Sequence, residues 1–102
     1  MNKFQSQKQR RRIDISTLQE YVYQVDPDSD YGTWIIVLMV IFNETGNSDE
    51  GFELADSWSS EGYEKYKGTK DVWNHWRHFK PDHPNPARLG TLIRMAEKKR
   101  YS

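Results

Sequence analysis

The chain contains no cysteine, so disulfide bonds, thiolate metal sites and cysteine catalysis are all excluded. It also lacks a Gly-Lys-Ser or Gly-Lys-Thr sequence, which excludes a phosphate-binding loop of the Walker type. The N-terminus is polar and basic with no apolar segment behind it, so no signal peptide is visible. The longest apolar run, residues 34–42, is too short to cross a bilayer. We therefore expect a cytoplasmic protein that does not insert into a membrane.

The formal net charge is zero, but charges of opposite sign occupy different parts of the 102-residue chain. Residues 1–12 carry five basic groups and no acid, whereas residues 13–56 carry ten acids and no Lys or Arg. Residues 57–102 have a surplus of five basic groups. This division fits a surface for a polyanion or another partner, and it equally fits ordinary solvation with pairing between the halves. Charge alone leaves both interpretations open.

Hydrophobic spacing and turn signals predict an all-α fold, a small bundle of about five short helices. Residues 1–12 are rich in Gln and Arg and are predicted to be a flexible basic arm or linker. Residues 13–102 are then the bundle domain. The five helices are predicted to run from residue 14 or 16 to before 27, from 31 to about 43, from 49 to about 58, from 69 or 70 to about 79, and from 86 or 87 to about 99. The second is apolar nearly all round, which places it at the centre.

Capping patterns and apolar spacing predict the helix ends and their buried faces. Ser16 and Gln19 form a capping-box pattern for the first helix, and Ser48 is the expected cap of the third. Asn85 is predicted to cap the fifth helix, with Pro86 in its first turn. The predicted inward face of the fourth helix consists of Val72, Trp73, Trp76 and Phe79.

The residue pattern supports neither a metal site nor a catalytic centre. His75 and His78 are three residues apart and could bind a metal with His83, but no further ligand can be placed at a defined spacing. An active site that uses two metals to activate an attacking hydroxyl would need clustered carboxylates. The acids at positions 26, 28, 30, 49 and 50 lie in a turn and at helix starts, where capping accounts for them. We therefore predict a non-catalytic domain without a permanently bound cofactor.

Basic and aromatic residues alternate in the second half of the chain, a combination that binds single-stranded nucleic acid. Cations contact the phosphates while exposed rings stack on the bases. Tyr63 and Tyr66, in a predicted loop, are the candidates for stacking. The candidates for contact with phosphates are Lys65, Lys67, Lys70, Arg77, Lys80, Arg88, Lys98, Lys99 and Arg100.

Five features in a fixed order resemble a known family over about residues 13–101. They are Trp34, Trp58-Ser59, Lys65-Tyr66, Trp76 with Phe79, and Gly90-Thr91-Leu92 with Ala96. Together they are similar to the second type of primase C-terminal helical domain, found in phages, plasmids and related mobile elements. That domain often links a primase–polymerase module to a helicase. The resemblance implies a helical accessory domain that helps a primase hold single-stranded template DNA and the initiating nucleotide, such as ATP with magnesium.

Two functions are therefore predicted for a chain that is either an excised domain or a small stand-alone relative. In the first, it supports primer synthesis in DNA replication by binding template and nucleotide through its basic, aromatic second half. In the second, it is a structural connector or docking module, and acidic residues 13–56 meet a polymerase or helicase module of the same or a partner protein.

Overall fold

A computed structural model describes residues 14–81 and 84–101, with side chains described as far as residue 97. This part of the chain contains five helices and no strand. The helices are α1 (Ile15–Val22), α2 (Tyr31–Thr45), α3 (Asp49–Ser59), α4 (Thr69–Trp76) and α5 (Leu89–Tyr101). The predicted all-α class is confirmed. The predicted arm, residues 1–12, lies outside the described residues.

Helix α2 is the centre of the bundle, and it contacts each of the other four helices. The largest apolar side chains that are fully buried or nearly so come from all five helices: Leu18, Leu38, Ile41, Trp58, Trp76 and Leu92. The central position predicted for the second helix is confirmed, because a helix that is apolar nearly all round needs neighbours on every side.

Side-chain caps and a glycine set the ends of α2 and the start of α3. The Asp30 side chain accepts a hydrogen bond from the backbone N–H of Thr33, and Gly46 ends α2 in the left-handed conformation at φ 69°. The Ser48 hydroxyl accepts from the backbone N–H of Gly51 at 3.0 Å, so the predicted Ser48 cap is confirmed. These short connections turn the chain back on itself between α2 and α3.

Two predicted helix ends and one predicted cap are wrong. Helix α1 begins at Ile15 with Asp14 as its N-cap residue, which agrees with the earlier of its two predicted starts, but Ser16 lies inside the first turn and its hydroxyl donates to Asp14 instead of capping. Helix α4 ends at Trp76, three residues earlier than predicted. Beyond it, the N–H groups of His78 and Phe79 donate to the carbonyl groups three residues before them, which is the tighter 3₁₀ pattern and not the α-helical one. Helix α5 begins at Leu89, beyond the start predicted at Pro86 or Ala87 with Asn85 as its cap.

The predicted inward face of the fourth helix is also partly wrong. Val72 and Trp76 are buried, but 46% of the Trp73 surface is exposed. Adjacent residues on a helix point about 100° apart, so Val72 and Trp73 cannot share one narrow face. Trp73 instead lies at the edge of the bundle, where its ring packs edge-on against Phe52 of α3 at a centroid distance of 5.4 Å.

Candidate nucleic-acid interface

The loop between α3 and α4 carries three of the predicted site residues on an open surface. Tyr63 is 96% exposed, and Lys65 and Lys67 are exposed beside it. Gly68 ends the loop at φ 108°, a backbone conformation that favours glycine, and α4 begins at the next residue. The structure therefore brings one fully accessible aromatic ring and two cations together within five residues.

This loop is anchored to the turn between α1 and α2 by the carboxylate of Asp28. The backbone N–H of Tyr63 donates to Asp28 Oδ2 at 2.8 Å, and the N–H groups of Glu64 and Lys65 each donate to Oδ1 at 3.1 Å. Hydrogen bonds to a carboxylate favour its charged form. The bond from Tyr63, with smaller contributions from Glu64 and Lys65, lowers the pKa of Asp28 below its usual value.

A pocket of about 320 Å³ lies between this loop and the start of α2. Its walls include Ser29, Tyr31 and Trp34 on one side and Lys65, Lys67 and His75 on the other. Pockets that hold small molecules typically span about 300–1,000 Å³ and combine apolar walls with a few polar groups. The size and lining are therefore suited to one planar, partly polar group such as a nucleobase.

Three aromatic rings form the apolar part of this pocket. Trp34 and His75 meet edge to face at a centroid distance of 5.0 Å, and Tyr31 lies 5.9 Å from Trp34 and 5.8 Å from His75. The Trp34 indole Nε1 donates to Ser59 Oγ at 2.9 Å, and His75 Nδ1 hydrogen-bonds to the Asp71 carbonyl at 2.9 Å. Both rings are thus fixed in orientation, whereas Tyr31 is 61% exposed at the rim.

Charged side chains of both signs line the same pocket, the cations Lys65 and Lys67 and the acids Glu64 and Asp71. Lys65 Nζ lies 3.4 Å from the Ser29 carbonyl oxygen, which places its positive charge at the pocket wall. Among the described residues, Ser29 Oγ is a buried side-chain atom that has no hydrogen-bond partner. Buried polar atoms are normally paired, so this hydroxyl is an exception, and because it is buried it presents no surface to a ligand in the pocket.

Tyr66 and Lys70 adjoin this loop in different environments. The Tyr66 hydroxyl donates to Asp56 Oδ1 at 2.9 Å and lies 3.2 Å from Thr69 Oγ1, while the ring packs partly buried against the core. Its contacts connect the loop to α3 and leave little of the ring accessible. Lys70 is exposed in the first turn of α4, just beyond the loop.

The other predicted phosphate contacts lie away from the loop. Arg77 and Lys80 follow the far end of α4, a helix about 12 Å long, and Lys80 lines a second pocket with Met39 and Phe42. For Lys98, Lys99 and Arg100, the backbone belongs to α5 but the side chains lie outside the described part of the chain.

Arg88 is already engaged in an ion pair. Its Nε and Nη2 donate to the two carboxylate oxygens of Glu44, each at 3.1 Å, and Glu44 is buried. Glu44 Oε2 also accepts from the backbone N–H of Leu89 at 2.8 Å and thereby caps α5. A carboxylate from α2 therefore performs the capping that the sequence pattern assigns to Asn85.

Sequence reasoning missed several residues of this surface: Asp28, Ser29, Tyr31, Trp34 and His75. Trp34 appears in the sequence analysis only as a feature of the family resemblance. Tyr31 lies three residues before it, and residues at i and i+3 share a helix face, so an aromatic pair on this face could have been recognised from the sequence. The pattern around Asp28 indicates only a turn. Its partners are 35 to 37 positions away in the chain, so no local pattern could reveal them.

The described residues give no sign of a metal centre or a membrane span. Within 14–81 and 84–101, no three His, Asp or Glu side chains are grouped so that they could hold an ion. His78 Nδ1 hydrogen-bonds to the Asn74 carbonyl, and His83 lies outside the described residues. Over the same part of the chain, no helix is both long and apolar enough to cross a bilayer.

Comparison with protein families identifies one model that covers most of the bundle. The family described as Primase C terminal 2 (PriCT-2) matches residues 18–96, which run from α1 into α5 and include the whole aromatic pocket. No curated protein and no solved structure matches the chain.

Proposed function

The chain belongs to the Primase C terminal 2 (PriCT-2) family, and from that premise we propose that it is a non-catalytic accessory domain that binds single-stranded template DNA. The observation that carries the proposal is a single loop in which the exposed ring of Tyr63 stands close in sequence to Lys65 and Lys67, two cations that line an aromatic pocket. Exposed rings beside cations are the combination that binds single strands without requiring a duplex.

Each group has a distinct part in this proposal. The accessible face of Tyr63 stacks on a base, which contributes about 1–3 kcal/mol in comparable proteins. Lys65 and Lys67 contact neighbouring phosphates. The rings of Tyr31 and Trp34 accept one unstacked base. The initiating nucleotide has the same chemistry, so ATP with magnesium is proposed as a second ligand of this pocket.

A titration of the isotope-labelled chain with a short single-stranded DNA, first alone and then with ATP and magnesium, tests this proposal. We expect amide shifts in residues 62–68 and at Tyr31, and a shift of the Trp34 indole N–H. An additional response of the Trp34 and His75 signals to ATP would support the nucleotide role. A spectrum that neither ligand changes at low salt would overturn both parts of the proposal.

A second function, docking to a polymerase or helicase module, is favoured by a different surface. Trp73 is half-exposed and packs against Phe52, which also lines a shallow pocket with the acids Asp49, Glu53 and Asp56. An accessible aromatic pair beside several acids suits a partner with a basic, partly apolar contact surface. Pull-down of each module by the chain, and loss of capture on Trp73→Ala, would support docking; undiminished capture would exclude this surface.

A further inference from the structure

The pocket has two walls that come from distant parts of the chain. The first wall is the turn before α2 with the start of that helix, which contributes Ser29 and Tyr31. The second is the loop after α3, which contributes Lys65 and Lys67. The geometry of the pocket therefore depends on how the loop is held against the turn.

We propose that Asp28 is the positioning residue of the loop between α3 and α4, the segment proposed above to bind DNA. Its carboxylate accepts the backbone N–H groups of Tyr63, Glu64 and Lys65, so one side chain of the turn fixes three consecutive residues of the loop. This inference rests on the proposed function. Asp28 itself does not contact the DNA, and it acts by setting the positions of Tyr63 and Lys65 before DNA arrives.

Asp28→Asn keeps one acceptor oxygen and replaces the other by an NH2 group, so at least one of the three N–H groups loses its acceptor and faces a donor, which loosens the loop. The loop would then sample other conformations in the free protein, and DNA would have to order it on binding. Ordering a flexible segment subtracts from affinity, whereas a segment already in its bound shape binds without that cost. Asp28 therefore strengthens binding although it carries a negative charge.

Because Asp28 is negatively charged, the positioning role and simple electrostatics predict opposite changes in DNA affinity when the charge is removed. An acid beside a site for a polyanion repels the ligand, so Coulomb's law alone makes binding tighter when Asp28 is neutralised. The positioning role makes binding weaker for the same change. The Asp28→Asn variant therefore separates the two effects by direction and not only by size.

Gly62 offers a second way to disturb the contact without changing any charge. A Cβ at this position would lie 2.7 Å from Asp28 Oδ1, closer than the two atoms can approach. Gly62→Ala therefore forces the carboxylate to move. The matched control is Gly90→Ala, where a Cβ would meet no atom within 4 Å. The charge control is Glu61→Gln, which removes an exposed acid near the same loop.

The experiment measures the affinity of the full chain for a fluorescent oligothymidine at fixed low salt, together with backbone order parameters of residues 63–65. We expect Asp28→Asn to weaken binding by about tenfold, the effect of losing one preorganised contact set. Gly62→Ala should weaken it in the same direction. Order parameters of the loop amides should fall in both variants, whereas Gly90→Ala and Glu61→Gln should bind at least as tightly as the unsubstituted chain.

The outcomes separate the positioning role from the proposed function. Unchanged or tighter binding by a folded Asp28→Asn variant, or an equally ordered loop, would overturn the positioning role alone. Absence of DNA binding by the unsubstituted chain would overturn the proposed function and this role with it. Near-ultraviolet signals of the buried tryptophans report folding; if Asp28→Asn is unfolded, Gly62→Ala decides the result by the same criteria.

Discussion

The indole Nε1 of Trp34 donates a hydrogen bond to Ser59 Oγ at 2.9 Å, although the two residues are 25 positions apart. Both belong to the pattern by which the chain resembles primase C-terminal domains. The bond joins α2 to the end of α3 and orients the Trp34 ring towards Tyr31 and His75 in the pocket. Packing alone could explain why Trp34 belongs to the family pattern, but its ring also shapes the candidate site.

Replacement of Trp76 and Trp73 should give very different losses of stability, although the two residues share a helix. Trp76 is 1% exposed and its Nε1 donates to Asn47 Oδ1, so Trp76→Ala opens a cavity and should cost about 3–5 kcal/mol. Trp73→Ala, at a half-exposed position, should cost far less. Urea unfolding measures both. Equal losses would contradict the assignment of these two faces of α4.

Loss of the Glu44 carboxylate should destabilise the fold more than loss of its partner Arg88. Glu44→Ala leaves the N–H of Leu89 without its cap and the Arg88 guanidinium without its acceptor, at a cost of about 1–3 kcal/mol. Arg88→Ala keeps the cap. Thermal unfolding of the two variants tests the order, and a larger loss for Arg88→Ala would show that leaving the buried Glu44 carboxylate without its partner costs more than losing the cap.

Tyr63→Ala should weaken binding of single-stranded DNA and leave folding unaffected. The ring is almost fully exposed, so its removal costs no buried area, but it removes one stacking contact of about 1–3 kcal/mol. Tyr66→Phe is the comparison, because it removes the hydroxyl bonds to Asp56 and Thr69 and should affect stability first. Fluorescence anisotropy and thermal unfolding measure the two effects. Normal DNA affinity of Tyr63→Ala would exclude stacking at this position.

Stability should decrease in acid with a contribution from Asp28. Hydrogen bonds from the loop lower the pKa of Asp28 in the folded chain, so its contribution is complete above the pKa of an unfolded aspartate, about 3.9. It disappears as the pH falls through the lowered pKa of the folded state. Asp28→Asn should therefore show a shallower decrease of melting temperature below about pH 4. Parallel curves for the two proteins would contradict this linkage.

The helical architecture is predictable because it follows from local patterns. The apolar run of α2 and the Ser48 cap each act within a few residues, so residue type and spacing locate both. The start of α5 is not predictable in this way. It depends on Glu44, which reaches Leu89 across 45 positions of the chain.

The candidate site is predictable only in part, for the same physical reason. Tyr63, Lys65 and Lys67 stand in one loop, and their composition by itself is enough to predict a site for single-stranded nucleic acid there. The opposite wall of the pocket comes from Tyr31 and Trp34, which tertiary packing brings to that loop. A sequence pattern records neighbours along the chain, so it could not show that these two segments meet.

The most direct test of the account is the salt dependence of single-stranded DNA binding in two matched double variants. Each phosphate contact on a single strand contributes about 0.7 to the slope of log K against log salt. We expect Lys65→Ala with Lys67→Ala to reduce the magnitude of that slope by about 1.4. Arg77→Ala with Lys80→Ala removes the same charge beyond the far end of α4 and should change the slope less. An unchanged slope for the Lys65 and Lys67 pair, or binding that does not respond to salt at all, would contradict the proposed interface.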